Sequence, residues 1–258
     1  MNRINLLFQN KKSRILSVYF SAGFPHLHDT VTIIRTLEQK GIDLVEIGIP
    51  FSDPLADGPV IQNSSNIALR NGMSLSLLLD QLKDIRKEVS IPLVFMGYIN
   101  PILRYGFEKF CARCAEIGID GFIIPDLPMR EYLEEFKTTA DRFHLENILL
   151  ITPETSDERI REIDDNSNGF IYMVSSASTT GMQKSFAGSK EAYFDRINAM
   201  KLKNPRLIGF GISNRETYDS ACRHASGGIV GSAFVHALEQ HPDNIPAAVD
   251  SLLLQLNS

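Results

Sequence analysis

Short apolar runs alternate with amphipathic stretches along the whole of this sequence, a rhythm that leaves few folds open. The runs cover residues 15–20, 44–48, 93–96, 121–124, 148–151, 170–174, 206–210 and 228–230. Several are apolar throughout rather than alternating, which suits strands of a parallel sheet buried on both faces. Helical spacing of apolar residues fills the intervals at 29–40, 74–89, 107–118, 130–143, 157–163, 191–202 and 215–224, and again at 247–256 near the end. Strand–helix alternation this regular predicts an α/β fold with a parallel sheet.

Eight strands in 258 residues favour a (β/α)8 or TIM barrel of about 250 residues over a doubly wound open sheet. Gly41-Ile-Asp-Leu-Val45 and Gly118-Ile-Asp-Gly-Phe122 repeat one pattern at the end of a helix and the start of a strand. Glycine there suits a left-handed helix cap. No linker, low-complexity tract or charge block interrupts the pattern, so residues 1–258 are expected to form a single barrel domain.

A formal net charge of −5 gives no broad attraction for nucleic acid or an anionic membrane. No apolar stretch approaches the roughly 18 residues of a membrane span, and residues 1–8 do not read as a signal peptide. Three cysteines are an odd number and fit a reducing cytoplasm better than a disulfide framework. Cys111 and Cys114 lie in a helical stretch without a second pair, so they are expected to be ordinary helix residues. His26 and His28 have no accompanying ligand set, and no metal is expected.

The segment Val45-Glu-Ile-Gly-Ile-Pro-Phe-Ser-Asp-Pro-Leu-Ala-Asp-Gly-Pro59 begins as a strand and turns into a Pro-, Gly- and Asp-rich loop. Glu46 breaks an apolar run, and either face of a barrel strand is costly for an unpaired carboxylate. It is a satisfied structural carboxyl or, near the strand's C-terminal end, part of a site at the barrel mouth. Asp53 and Asp57 follow in the loop. A strand-end acid opposite a loop acid can form a pair with different proton affinities, although aspartate is also common in turns.

This run resembles the signature of tryptophan synthase α subunits, in its E-I-G, F-S-D-P and A-D-G-P elements and in the following Ile61-Gln-Asn63. The similarity extends through Met96-Gly-Tyr-Ile-Asn-Pro101, Ile124-Pro-Asp-Leu-Pro128, Gly209-Phe-Gly-Ile-Ser213 and Val230-Gly-Ser-Ala233. The resemblance implies a carbon–carbon lyase. Its reaction is the retro-aldol cleavage of indole-3-glycerol phosphate to indole and D-glyceraldehyde 3-phosphate, a step of tryptophan biosynthesis. It maps the catalytic pair onto Glu46 and Asp57. It also implies an indole pocket from Tyr19, Met96, Ile123, Ile151, Tyr172 and Phe210, with Tyr98 close by. The phosphate would lie on Gly211, Ser213, Gly231 and Ser232 with Gly181, where glycine backbone and serine hydroxyls offer donors at helix starts.

In the stretch Ser178-Thr-Thr-Gly-Met-Gln183, Thr180 and Gly181 keep the family pattern. The Gly and Val before them and the Arg after them are replaced. In the family, a threonine here bonds the catalytic aspartate when the loop closes. The resemblance further implies a pyridoxal-phosphate β subunit as partner in an α2β2 heterotetramer, no cofactor in this chain, and partner contacts at Asp53, Pro54, Asn100, Pro101 and Asp126. Two other readings are a phosphoribosylanthranilate isomerase, which leaves the Glu46–Gly58 match unexplained, and a catalytically weak α subunit that acts mainly as an allosteric activator of β. Retention of both acids argues against the second.

Overall fold

Each of the expected apolar runs becomes a strand. The computed structural model describes residues 2–175 and 187–257. Its strands are β1 (Ile15–Ser21), β2 (Leu44–Gly48), β3 (Leu93–Met96), β4 (Gly121–Ile123), β5 (Glu146–Asn147), β6 (Leu149–Ile151), β7 (Ile171–Val174), β8 (Arg206–Gly209) and β9 (Gly227–Val230). All pair in parallel. The fifth expected strand is split at Ile148, giving the sheet order β5-β4-β3-β2-β1-β9-β8-β7-β6. The break does not open the sheet. Ile148 N–H donates to the Phe122 carbonyl at 2.9 Å, so one continuous segment holds β4 on one side and β7 on the other. Eight segments therefore close into a (β/α)8 barrel.

Strand alternation divides the core into two shells. Ile15, Leu44, Val94, Ile123, Ile148, Phe170, Tyr172, Leu207 and Ile229 point into the barrel, and the other strand face packs on the helices. Both G-I-D glycines adopt left-handed backbone, Gly41 at φ 85° and Gly118 at φ 87°, as expected of helix C-caps.

Four helices were not legible as such: Arg3–Asn10, Pro59–Arg70, Ile99–Tyr105 and Ser232–Gln240. Two of them carry proline in the first turn, where its missing N–H costs nothing. The expected helix over 74–89 ends at Gln81 and resumes as a 3-10 turn, Ile85–Lys87. There Arg86 turns inward: Nε reaches the Gly118 carbonyl at 2.9 Å and a terminal nitrogen the Ile91 carbonyl at 2.6 Å. The stretch over 130–143 contains a π turn, Tyr132–Phe136, which brings Phe136 to 4.7 Å from Phe107 and Tyr132 to 6.5 Å from Phe122, centroid to centroid.

The N-terminal helix plugs the barrel floor with Ile4 and Phe8, the latter against Phe170. Asp120, 3% exposed, ties that floor together. It accepts from Arg3 at 3.0 Å, from Arg86 at 2.6 Å and from Leu93 N–H at 2.9 Å. Asp120→Asn leaves the half-buried Arg86 guanidinium without its counter-charge. It should lower unfolding stability by about 3 kcal/mol, read as a lower urea midpoint at an unchanged slope.

Candidate active site

The site is built from β2 outward. Leu44, Glu46 and Gly48 share the inward face of that strand, and Glu46 lies in register with Tyr19 of β1 and Val94 of β3. Glu46 is fully buried. Ser17 Oγ donates to its Oε1 at 2.9 Å, and Oε2 has no partner among the described residues. Burial disfavours the charged form and pushes the carboxyl up to about 8, with the Ser17 hydrogen bond opposing it. Glu46 therefore keeps its proton near neutral pH.

Asp57 sits in the loop after β2, which is pinned at several points. Phe51 N–H donates to Ser65 Oγ at 2.9 Å, and Gln62 reaches the Asp57 carbonyl at 2.8 Å. Tyr98 is the main anchor. Its ring stacks on Phe51 at 5.1 Å, its hydroxyl accepts from Ala56 N–H at 2.9 Å and donates to Asp57 Oδ2 at 3.1 Å. Burial raises Asp57 to about 6, while the Tyr98 hydrogen bond stabilises its anion. Near pH 7 the loop acid is mostly ionised and the strand acid mostly protonated, the opposed states expected of an acid–base pair.

A cavity of about 190 Å³ opens at the C-terminal rim. Tyr19, Met96, Tyr172 and Phe210 line it together with Asp57, Gly211, Ser213, Gly231 and Ser232. Glycines make the room. A Cβ on Gly48 would collide with the Tyr19 hydroxyl, and one on Gly209 with the Tyr172 hydroxyl. After β8 the backbone turns through left-handed Phe210 (φ 69°) and Gly211 (φ 77°). Such a conformation costs a non-glycine residue about 1–2 kcal/mol, and here it sets the Phe210 ring 6.2 Å from Tyr172, edge to face. The Ser213 N–H is engaged with Thr217 Oγ1 at 3.0 Å, which leaves its hydroxyl as the group that could donate to a ligand. The helix Ser232–Gln240 starts at the cavity wall, and the first N–H groups of a helix have no partner within it. An anion at that wall meets both backbone donors and the helix dipole.

Not every expected residue reaches this cavity. Tyr98 lines a small adjoining pocket with Asp57. Ile123 is in the inner shell but does not line the cavity. Ile151 is corrected outright: alternation puts Leu150 on the inner side, so Ile151 packs among the helices. Glu46 itself is one step below the wall, next to Tyr19 and Tyr172, which do line it. Thr180, Gly181 and the departures at Ser178–Gln183 lie outside the described residues. Ile61, Ile212, Ile229 and Ala233 line the cavity without having been singled out. Ile212 sits between two expected residues, and Ile61 belongs to the matched run, so both had a signal.

The other chemistry-bearing groups have ordinary roles. Cys111 and Cys114 are buried, and burial raises both thiols, Cys111 to about 12, so neither is a nucleophile. His26 faces Asp243 at 3.1 Å and His28 faces Gln81 at 3.3 Å. Among the described residues, no group of three or more His, Cys, Asp or Glu side chains is placed to hold a metal ion, and no helix is long and apolar enough to cross a membrane.

A closed parallel barrel with an apolar cavity and an anion-suited pair of turns at its C-terminal rim marks a (β/α)8-barrel enzyme. Comparison with known proteins narrows this. The family model for the tryptophan synthase alpha chain matches residues 6–257. The tryptophan synthase alpha chain of Parabacteroides distasonis is 61% identical over 254 residues, 98% of each chain. That of Phocaeicola vulgatus is 59% identical over 258 residues and the full length of both. Among solved structures, the alpha subunit of Legionella pneumophila str. Paris superposes with a TM-score of 0.88 at 32% identity, covering 99% of this chain and 97% of that one. Tryptophan synthase from M. tuberculosis in its aminoacrylate-bound form gives 0.85 at 28% identity, covering 99% and 98%. The chain belongs to the tryptophan synthase alpha chain family.

Both acids are raised, so the folded protein holds protons that the unfolded chain releases between roughly pH 4 and pH 8. Stability contributed by these sites is therefore highest below that interval and falls as the pH rises through it. Glu46→Gln has no proton to lose. It should be more stable than the parent at pH 8, by about 4 kcal/mol, with the gain gone near pH 4; urea unfolding at the two pH values checks both signs.

Proposed function

We propose that this lyase cleaves indole-3-glycerol phosphate to indole and D-glyceraldehyde 3-phosphate with Glu46 and Asp57 as its acid–base pair. The observation that carries the assignment is the placement of two acids of opposed protonation, Asp57 in the wall of one apolar cavity and Glu46 one step beneath it beside Tyr19. Indole is a poor leaving carbanion. The Glu46 carboxyl gives its proton to C3 of the ring, producing an indolenine cation. The Asp57 carboxylate beside the ring N–H stabilises that charge. Glu46, now ionised, takes the proton of the glycerol hydroxyl next to C3. As that carbonyl forms, the carbon–carbon bond breaks and its electrons return to the ring, releasing indole and restoring the Glu46 acid.

Tyr19, Met96, Tyr172 and Phe210 form the apolar walls for the ring. The exposed rim at Gly211, Ser213 and Ser232, with Gly231, takes the phosphate at the helix start. Thr180 and Gly181 are assigned to the same site by family pattern. Residues 1–258 act as one catalytic domain in the cytoplasm. The partner is a β subunit that carries pyridoxal phosphate, in an α2β2 assembly that receives the indole. Asp53, Asn100 and Asp126 are exposed at the rim near Pro54 and Pro101, and Leu55 is 90% exposed in the same loop, an apolar side chain suited to such a partner.

Glu46→Gln and Asp57→Asn should each lower indole release by at least about 100-fold with circular dichroism unchanged. Near-parental turnover in either variant overturns the assignment. Release measured with and without β subunit separates catalysis from activation: no release in either case, with β stimulation intact, would make the chain a regulatory subunit.

A further inference from the structure

Among the described residues, Glu46 is a buried acid with one hydrogen-bond partner, and that partner is Ser17. Ser17 lies two residues before Tyr19 on β1, on the same inward face and one layer deeper in the barrel. It is fully buried. Its register partner is Leu44, so it meets Glu46 diagonally across the β1–β2 ladder. Its hydroxyl reaches Oε1 at 2.9 Å, while Oε2 is buried without a partner among the described residues. The surrounding inward side chains, Leu44, Val94 and Tyr172, are apolar or aromatic, so this hydroxyl is the polar contact that fixes the carboxyl.

We propose that Ser17 is a positioning residue, which holds Oε1 of Glu46 from the layer below so that the acid carries its proton on Oε2. The inference rests on the catalytic reading of Glu46 and adds to it the residue that orients and tunes the acid. The titratable groups facing Glu46 are the Tyr19 phenol from β1 and the Tyr172 phenol from β7, with Asp57 beyond them at the cavity. Burial keeps both phenols neutral through the range in question. Ser17 is then the contact whose loss changes how readily Glu46 ionises. Without it, burial acts unopposed and the carboxyl holds its proton more tightly.

The test is a titration of the ligand-free protein by infrared difference spectroscopy, following the protonated carboxyl band assigned to Glu46 by its loss in Glu46→Gln. In Ser17→Ala the midpoint should rise by about one pH unit. The descending alkaline limb of kcat/KM should move up with it. Ser17→Cys, similar in size with a weaker donor, should move both in the same direction by less, and supplies the reading should the alanine variant fail to fold. An unmoved midpoint in the folded variant overturns the proposal. Full turnover in Glu46→Gln would instead sink the catalytic reading, whatever the midpoint shows.

Discussion

The structure turns on the cost of keeping a carboxyl group inside a barrel. Glu46 stands in a shell built mostly of Ile, Leu, Val, Phe and Tyr, and among the described residues one hydroxyl, that of Ser17, bonds it. An ionised carboxylate there would be strongly disfavoured. The molecule meets the cost by protonation, and a neutral acid at neutral pH is the state that proton donation requires. The same burial that makes the residue expensive for folding suits it to the donor role proposed for it.

Asp57 shows the complementary arrangement. It stands on a loop at the rim and has a phenol donor and partial access to solvent, so it ionises about two pH units earlier than Glu46. Tyr98 bonds both the Ala56 backbone and the Asp57 carboxylate, so loop shape and acid position are set together. Each carboxyl accepts one hydroxyl, and the two hold protons differently because one is fully walled in and the other is partly open to solvent.

The two ends of the barrel divide the labour. At the floor, Arg3 and Arg86 close on Asp120, and the N-terminal helix seals the opening. At the rim, the backbone accepts strain at Phe210 and gives up side chains at Gly48 and Gly209 to make space for Tyr19 and Tyr172.

The alternation of apolar runs was enough to read the barrel and its eight strands, because a buried parallel strand leaves its mark in a few consecutive residues. Glu46 stood out for the same reason: one charge in such a run must be explained. Helices that open with proline were hidden, since proline in isolation reads as loop. Ile151 was misplaced because the inner face is set by the break at Ile148 and the closure around it, which no local pattern encodes. The sequence by itself fixed the fold class, the unusual acid and the family. Only the tertiary structure decided that Ser17 lies under Glu46, that Tyr98 holds Asp57, and that the two acids hold protons differently. Those facts depend on which side chains meet across the barrel and how far water is excluded, and neither is a property of neighbours along the chain.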